Sequence, residues 1–353
     1  MPGVNAKARP EILHLTFSKL QASILDHGSR QTAAIGGPDA AGAAALSACQ
    51  ALILKSSLDD VQLESLEIFA SGKAAALEFA AMEAPHADPV PKCLADIETL
   101  KTDPAILYMA SRNQILLNLV DYRSFAFDID NGGMQVRIVG NFKGGGERSL
   151  PNEFSHHHAE LSSHAGVQLG PHTEPPYTCS VQCEGEHSPA PSALILSARW
   201  NPLREPTQVI PVRNAISKLN ALEGLALSSK SFCFTRSDCF VNDEHQGMNA
   251  SSILQFDSRG DFTLRYNSYR HSLHHEASHS TRQAYQTLQA LLENEQPYDF
   301  LPSPDSAILI NNSQALHARD IVKDNRRLLV RLFGYSPDAR PVTLQQDPLI
   351  VRG

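Results

Sequence analysis

Four places in this chain put an acid two residues after a histidine: His86 and Asp88, His158 and Glu160, His172 and Glu174, and His274 and Glu276. In a strand, residues i and i+2 point to the same face. Such a pair therefore presents an imidazole and a carboxylate side by side. A second histidine arriving from far along the chain completes three ligands on one face of a metal ion. Three octahedral positions stay open, which suits a non-haem Fe(II) centre with two positions for a keto acid and one for oxygen. The pair alone is weak evidence. With 15 His and 38 acidic residues in the chain, composition supplies about 1.6 such pairs by chance. Context has to select among the four.

His172 and Glu174 have the best context. They follow Val167, Gln168, Leu169 and Gly170, a strand-like approach, and precede Pro175, Pro176 and Tyr177, which end it. His86 lies in a Pro-rich stretch, His158 lies in a run of histidines, and His274 stands too close to the closing histidine for barrel strands to intervene. The closing element itself reads as strand, loop, strand: 307–310, then 311–317 carrying His317, then 327–333. In the last strand Leu328, Val330 and Leu332 make one wholly apolar face, while Arg327, Leu329, Arg331 and Phe333 share the other. Buried arginine is costly unless compensated, and a planar guanidinium is suited to bidentate carboxylate binding. The bland alternative, an exposed edge-strand face, would leave Phe333 in water as well.

These residues together resemble the clavaminate synthase and taurine dioxygenase group of Fe(II)/2-oxoglutarate oxygenases, nearest in pattern to its amino-acid hydroxylases. The resemblance rests on His172-Thr173-Glu174, on Asn311-Asn312 followed by His317, and on Arg327 and Arg331. It covers roughly 105–335. It implies a double-stranded β-helix (jelly-roll) core, mainly β with flanking helices, and metal ligation by His172, Glu174 and His317. It further implies that Arg327 binds the far carboxylate of 2-oxoglutarate, with Thr207 assisting, and that Arg331 meets a substrate carboxylate. The family's lid matches 262–270, where Arg265, Tyr266 and Asn267 are candidate substrate contacts. Ser162 and Ser163, ahead of the H-x-E strand, are further candidates. The implied reaction takes Fe(II), 2-oxoglutarate and O2 and hydroxylates a C–H bond of a free amino acid or amino-acid derivative, releasing succinate and CO2. Desaturation or ring closure could use the same site. Two departures stand out: the stretch between His317 and Arg327 is shorter than in clavaminate synthase, and that between Glu174 and Thr207 is longer than in taurine dioxygenase. Glu at position 174, rather than Gly or Ala, argues against the family's halogenase variant.

The elements that must position these groups can be read only coarsely. Leu13, Phe17, Leu20 and Ile24 fall at helical spacing, 35–45 reads as a loop, and 48–54, 58–82 and 93–100 read as helices. From 105 to 139 the texture shifts to short apolar runs broken by Asn, Asp and Gly. Strands are expected at 193–200, 231–234, 263–266, 307–310 and 328–333, with a helix at 280–294. The expectation is one domain over 1–353: a mostly helical portion at 1–104, the jelly-roll core at 105–335 and a tail at 336–353.

Bulk properties limit the partners. A formal charge of -8 argues against nucleic acid, which needs a basic stripe. No apolar stretch is long enough to span a bilayer and no secretory signal is visible. A cytoplasmic location and a small-molecule substrate are therefore expected. Six scattered cysteines do not read as a disulfide framework. Cys179 and Cys183 could join a zinc site, although no second close pair sits at ribbon spacing. Two rival functions stay open: a zinc hydrolase or binding module built on the histidine cluster of 156–164, and a jelly-roll binding protein without catalysis.

Overall fold

The computed structural model describes residues 11–86, 89–150, 162–175, 190–235, 250–256 and 261–353. His156, His157, His158, Glu160, Asp88, Cys179, Cys183 and Cys239 lie outside them, and with them most of the proposed zinc cluster.

In chain order the strands and helices are β1 (Ile12–Thr16), α1 (Lys19–Ala34), α2 (Ala43–Lys55), α3 (Asp60–Ala70), β2 (Ala76–Ala80), α4 (Ile97–Lys101), α5 (Pro104–Leu119), β3 (Arg123–Phe127), β4 (Arg137–Gly140), β5 (Leu169–His172), β6 (Ala193–Trp200), β7 (Thr207–Pro211), α6 (Arg213–Ser217), α7 (Ala221–Leu227), β8 (Phe232–Phe234), β9 (Leu254–Phe256), β10 (Phe262–Leu264), β11 (His271–Leu273), α8 (His279–Glu293), β12 (Tyr298–Phe300), β13 (Ala307–Asn311), β14 (Ala315–Arg319), β15 (Leu328–Tyr335), β16 (Thr343–Gln346) and β17 (Leu349–Val351). Among the described residues, no helix is long and apolar enough to cross a membrane. The architecture is mixed α and β, rather than mainly β.

Nine strands form one sheet in the order β1-β2-β13-β6-β15-β3-β17-β16, with β4 also on β15. Four more form a second sheet, β12-β7-β14-β5. Strand alternation explains the layering. Leu328, Val330 and Leu332 of β15 pack with the helices, in a core that includes Leu25, Leu54, Leu116 and Leu117. Phe333 of the same strand faces the other way, into a core shared by Leu194, Leu196 and Phe127 of the large sheet and Val209 and Ala315 of the small one. Behind the small sheet, Leu316 and Ile210 pack with Leu227 and the buried side of α8. The functional residues of β14 and β15 therefore lie in the gap between the two sheets.

Several N-terminal expectations are overturned. The apolar residue at 13 belongs to a strand and that at 17 follows its end: Leu13, Leu15 and Phe17 alternate, β1 pairs in parallel with β2, and the helix starts only at Lys19, capped by Ser18, whose hydroxyl and the Gln21 side chain form a capping box. The predicted helix over 58–82 stops at Ala70, turns through Gly72 at φ 75, and continues as β2, hydrogen-bonded on both sides. The segment after 105 opens with α5 rather than strands. Asp103 accepts from the amides of Ala105 and Ile106, Pro104 takes the first turn, and the helix is buried nearly all round. A helix without a polar face shows no amphipathic period, so its sequence reads as interrupted apolar runs. The sheet takes β1 and β2 from the portion expected to be helical and β16 and β17 from the expected tail, so all three sequence portions build it.

One glycine matters for the site. Gly166 donates to Gly144 O and Asn141 Oδ1, both at 2.9 Å, and accepts from Val322 N at 2.8 Å. A Cβ there would lie 2.7 Å from Asn141 Cγ and from the backbone nitrogen of Gly146. Backbone cannot swing aside, so Gly166→Ala is expected to cost about 1–3 kcal/mol through overpacking. Urea unfolding of the metal-free protein checks this, and a midpoint unchanged from the parent would refute the close-approach argument.

Candidate metal centre

His172 ends β5 and His317 sits in the middle of β14, and the two are direct register partners across the small sheet. The ring centroids are 4.1 Å apart. His317 was expected in a loop; it lies instead within a strand, which fixes its direction more firmly than a loop would. Glu174 follows two residues after His172. Between them Thr173 points the opposite way: its amide donates to Tyr266 O at 2.7 Å and its hydroxyl lies 3.3 Å from the same oxygen. Asn312, fully buried, accepts from Glu174 N at 2.7 Å and donates to Pro191 O at 2.9 Å. The strand's alternation is thus locked past its hydrogen-bonded end, and His172 and Glu174 stay on one face.

The donor atoms of His172, Glu174 and His317 all lie within 4.8 Å of one another, and all three residues are buried. His317 Nε2 is 3.4 Å from Glu174 Oε1. His172 Nδ1 meets the carbonyl of Gly170 at 2.8 Å. A carbonyl only accepts, so Nδ1 carries the proton and Nε2 keeps its lone pair for the site. Burial, with His317 beside it, pushes the His172 imidazole down to about 3, so it is neutral and ready to ligate. Burial alone would raise the Glu174 carboxyl, but the Arg331 guanidinium and the two imidazoles more than offset it and hold it well below the usual range. Two neutral-capable imidazoles and one carboxylate, buried and convergent, make a donor set that fits a divalent transition ion. His274 and Glu276 also lie together with His275, but at the surface, and His86 is exposed in its loop.

A cavity opens beside the triad and runs between the sheets. At one end Arg327, 3% exposed, donates to Thr207 Oγ1 at 3.2 Å. The exposed-face alternative for the arginines is therefore excluded. Arg331 is paired with Glu174, so its first partner is the carboxylate of the triad. Directly across from it in register stands Arg137 of β4, in a buried pair with Asp130 and donating from Nε to Ser163 Oγ at 3.0 Å. Leu194, Leu196, Phe127 and Phe333 line an apolar stretch of the wall. Asn267 lines it too and forms a bridge with His172, but its Oδ1 accepts from the amides of Tyr269 and Arg270, each at 3.1 Å. Arg265 and Tyr266 do not line the cavity: Arg265 donates to Asn312 O at 3.2 Å and Tyr266 packs in the core behind the small sheet.

Sequence reasoning missed Arg137, Asp130, Tyr269, Arg270 and Arg319, all of which line the cavity. Arg319 could have been found, because it follows His317 by two residues in what proves to be a strand. Nothing in the sequence brings Asp130 and Arg137 to the site.

No family model matches the chain, and no curated protein does. Solved structures do. An asparagine oxygenase in complex with Fe(II), 2S,3S-3-hydroxyasparagine and succinate is 17% identical, with a TM-score of 0.67 over 96% of this chain and 99% of that one. The non-heme iron oxygenase OrfP in complex with Fe and alpha-ketoglutaric acid is 17% identical, with a TM-score of 0.64 over 91% and 93%. OrfP in complex with Fe and L-Arg is 16% identical, with a TM-score of 0.63 over 91% and 92%. At such identity the likeness is one of fold, and it extends over nearly the whole chain.

Two measurements probe the electrostatics. In Arg331→Met the Glu174 carboxylate loses its cation in a dry site, and the metal-free protein is expected to lose about 3 kcal/mol or more. Adding Glu174→Gln should recover part of that loss in urea unfolding; no recovery would show that the two do not act as a pair. Away from the triad, burial pushes His164 and His271 down to about 4 each. Below their ordinary 6.5 the unfolded chain takes up a proton at each that the folded chain refuses, so stability falls as pH drops from 6.5 toward 4. Each contributes up to about 1.4 kcal/mol per pH unit, as does His172, so His271→Gln should remove about a third of the loss measured between pH 7 and pH 5.

Proposed function

We propose that this protein is an Fe(II)/2-oxoglutarate-dependent oxygenase that hydroxylates a C–H bond of a small carboxylate-bearing substrate, a free amino acid or amino-acid derivative. The observation that carries the reading is the convergence of His172, Glu174 and His317 on one face of a cavity that also holds the buried pair Arg327 and Thr207. The chain is read as a single oxygenase domain over 1–353, its two facing sheets being the halves of a double-stranded β-helix. Support comes from the structural neighbours, which bind Fe with alpha-ketoglutaric acid, with L-Arg, or with succinate and a hydroxylated amino acid. Exposed free Cys49 and Cys93 fit a reducing, cytoplasmic compartment.

His172, Glu174 and His317 would hold the iron, which when bound supplies oxygen activation coupled to decarboxylation of the keto acid. The chain supplies charge and position. Arg327 and Thr207 anchor the distal carboxylate of 2-oxoglutarate and so orient its keto end toward the triad. Arg331 keeps Glu174 ionised and, with Arg137 beside it, gives a substrate carboxylate a cationic wall. Asp130, on the far side of Arg137, offers an acceptor for a substrate ammonium. Ser163 and Asn267 border the same space. The apolar stretch of Leu194, Leu196, Phe127 and Phe333 keeps bulk water from the C–H bond to be attacked.

Anaerobic addition of Fe(II) and then 2-oxoglutarate is expected to give a weak visible charge-transfer band, lost in His172→Ala and His317→Ala. Zinc binding with no response to 2-oxoglutarate would favour the hydrolase reading, and no response to either would favour a binding protein. A succinate-release screen over the common amino acids then identifies the substrate class, and removal of iron by chelation should abolish release.

A further inference from the structure

Arg331 and Arg137 are register partners on β15 and β4. Residues directly opposite in an antiparallel ladder are side-chain neighbours on one face, and both arginines line the cavity. So do Leu329 and Val139, the next pair on that face of the same ladder. This apolar step lies between the two guanidinium groups and Arg327, which stands four residues and roughly 13 Å back along the chain. Like charges set directly opposite destabilise a sheet, and here each has its own acid. Arg331 is paired with Glu174 and Arg137 with Asp130, and none of the four side chains is more than 10% exposed.

Asp130 is delivered by a built turn. Asn131, Gly132 and Gly133 have φ of 53, 65 and 73. The Asn131 side-chain amide donates to the carbonyls of Met134 at 2.8 Å and Val136 at 2.9 Å. The turn folds Asp130 back on Arg137, whose Nε is held by the Ser163 hydroxyl. Both guanidinium groups act on one buried ring, His164, which burial first and then their charge push down to about 4.

Charge then constrains the substrate. In the oxygenase reading Glu174 serves the metal, and a substrate carboxylate becomes the anion on Arg331. Among the described residues Asp130 is the one other acid of the lining, and it is already matched to Arg137. A substrate ammonium placed at Asp130 makes two cations share one buried carboxylate, which is costly in a dry site. A neutral side chain on the substrate leaves that excess, a cationic one enlarges it, and an acidic one removes it.

We propose that Arg137 selects the substrate, and that the substrate is an amino acid carrying a second, side-chain carboxylate. Its ammonium takes over Asp130, and its side-chain carboxylate takes over the guanidinium of Arg137. This rests on the oxygenase reading and names the substrate class within it. The exchange of partners keeps every buried charge matched. An amide of the same shape as the acid cannot make that exchange.

The test uses pairs of like shape that differ by one charge: L-aspartate against L-asparagine, and L-glutamate against L-glutamine. Each is titrated calorimetrically, without oxygen, into protein given Fe(II) and 2-oxoglutarate. In at least one pair the acid should bind about tenfold or more tighter than the amide, and succinate release should follow the same order. The double variant Asp130→Asn/Arg137→Gln replaces the ion pair by two amides, and its ratio should fall to within about twofold. Arg137→Lys keeps the cation without the fork and should hold the preference at roughly threefold. It decides Arg137's part if the double variant does not fold. A parent that binds the amides as tightly as the acids, or binds none of the four, overturns the proposal whatever the variants do. A folded variant that keeps the parent's full ratio overturns it as well. A parent that takes up Fe(II) but no 2-oxoglutarate overturns the oxygenase reading and this proposal together. A parent that takes up both and shows no preference for the acids overturns this proposal alone.

Discussion

The ion pair between Glu174 and Arg331 is the constraint on which the centre depends. A carboxylate in a dry gap between two sheets stays charged only if something cationic is held against it, and Arg331 is delivered there by the strand that packs the main core on its other face. Burial keeps the imidazole of His172 neutral while the guanidinium keeps the carboxylate ionised. One strand thus does two jobs through simple alternation: Leu328, Val330 and Leu332 hold the large sheet to the helices, and Arg327 and Arg331 supply positive charge to the interior. Removing either job would undo the other, because the arginines have no reason to stay inside without the packing, and the packing leaves their side of the strand facing the gap.

Much of this was legible in sequence wherever a period of two carried it. The alternation of 327–333, the side-by-side placement of His172 and Glu174, and the strands at 193–200 and 307–310 follow from residue order. So does the burial of Arg327, since Phe333 shares its face. What was hidden depended on contacts between distant segments. The strand β1 is hidden because apolar residues at 13, 17, 20 and 24 mimic a helical stripe when a strand runs straight into a capped helix. The helix α5 was missed because burial on all sides erases the polar face that marks a helix. The Asp130–Arg137 pair needs the turn before β4 to fold back over the cavity, which no local pattern announces. Arg265 looked like a substrate contact by position, but its side chain points to the backbone carbonyls of Asn312 and Glu174, behind the site rather than in it.

The cavity is divided by chemistry along its length. Arg327, Arg319, Thr207 and Ser163 line it with guanidinium groups and hydroxyls, and Leu194, Leu196, Phe127 and Phe333 with aliphatic and aromatic side chains. A lining of two chemistries orients a ligand that has an anionic end and an apolar end without many specific contacts. Arg331 and Arg137 stand opposite each other across β15 and β4, each paired with its own carboxylate, Glu174 and Asp130.

His172 and His317 are partners in the same β-ladder, and this ties the convergence of the three donors to strand alignment. A slip of one residue between β5 and β14 would turn one imidazole out of the gap and into the apolar layer behind the small sheet. Chains paired in the wrong alignment would therefore lack the ligand set altogether instead of holding a weakened version of it. The three donors meet only in molecules whose strands have zipped in step.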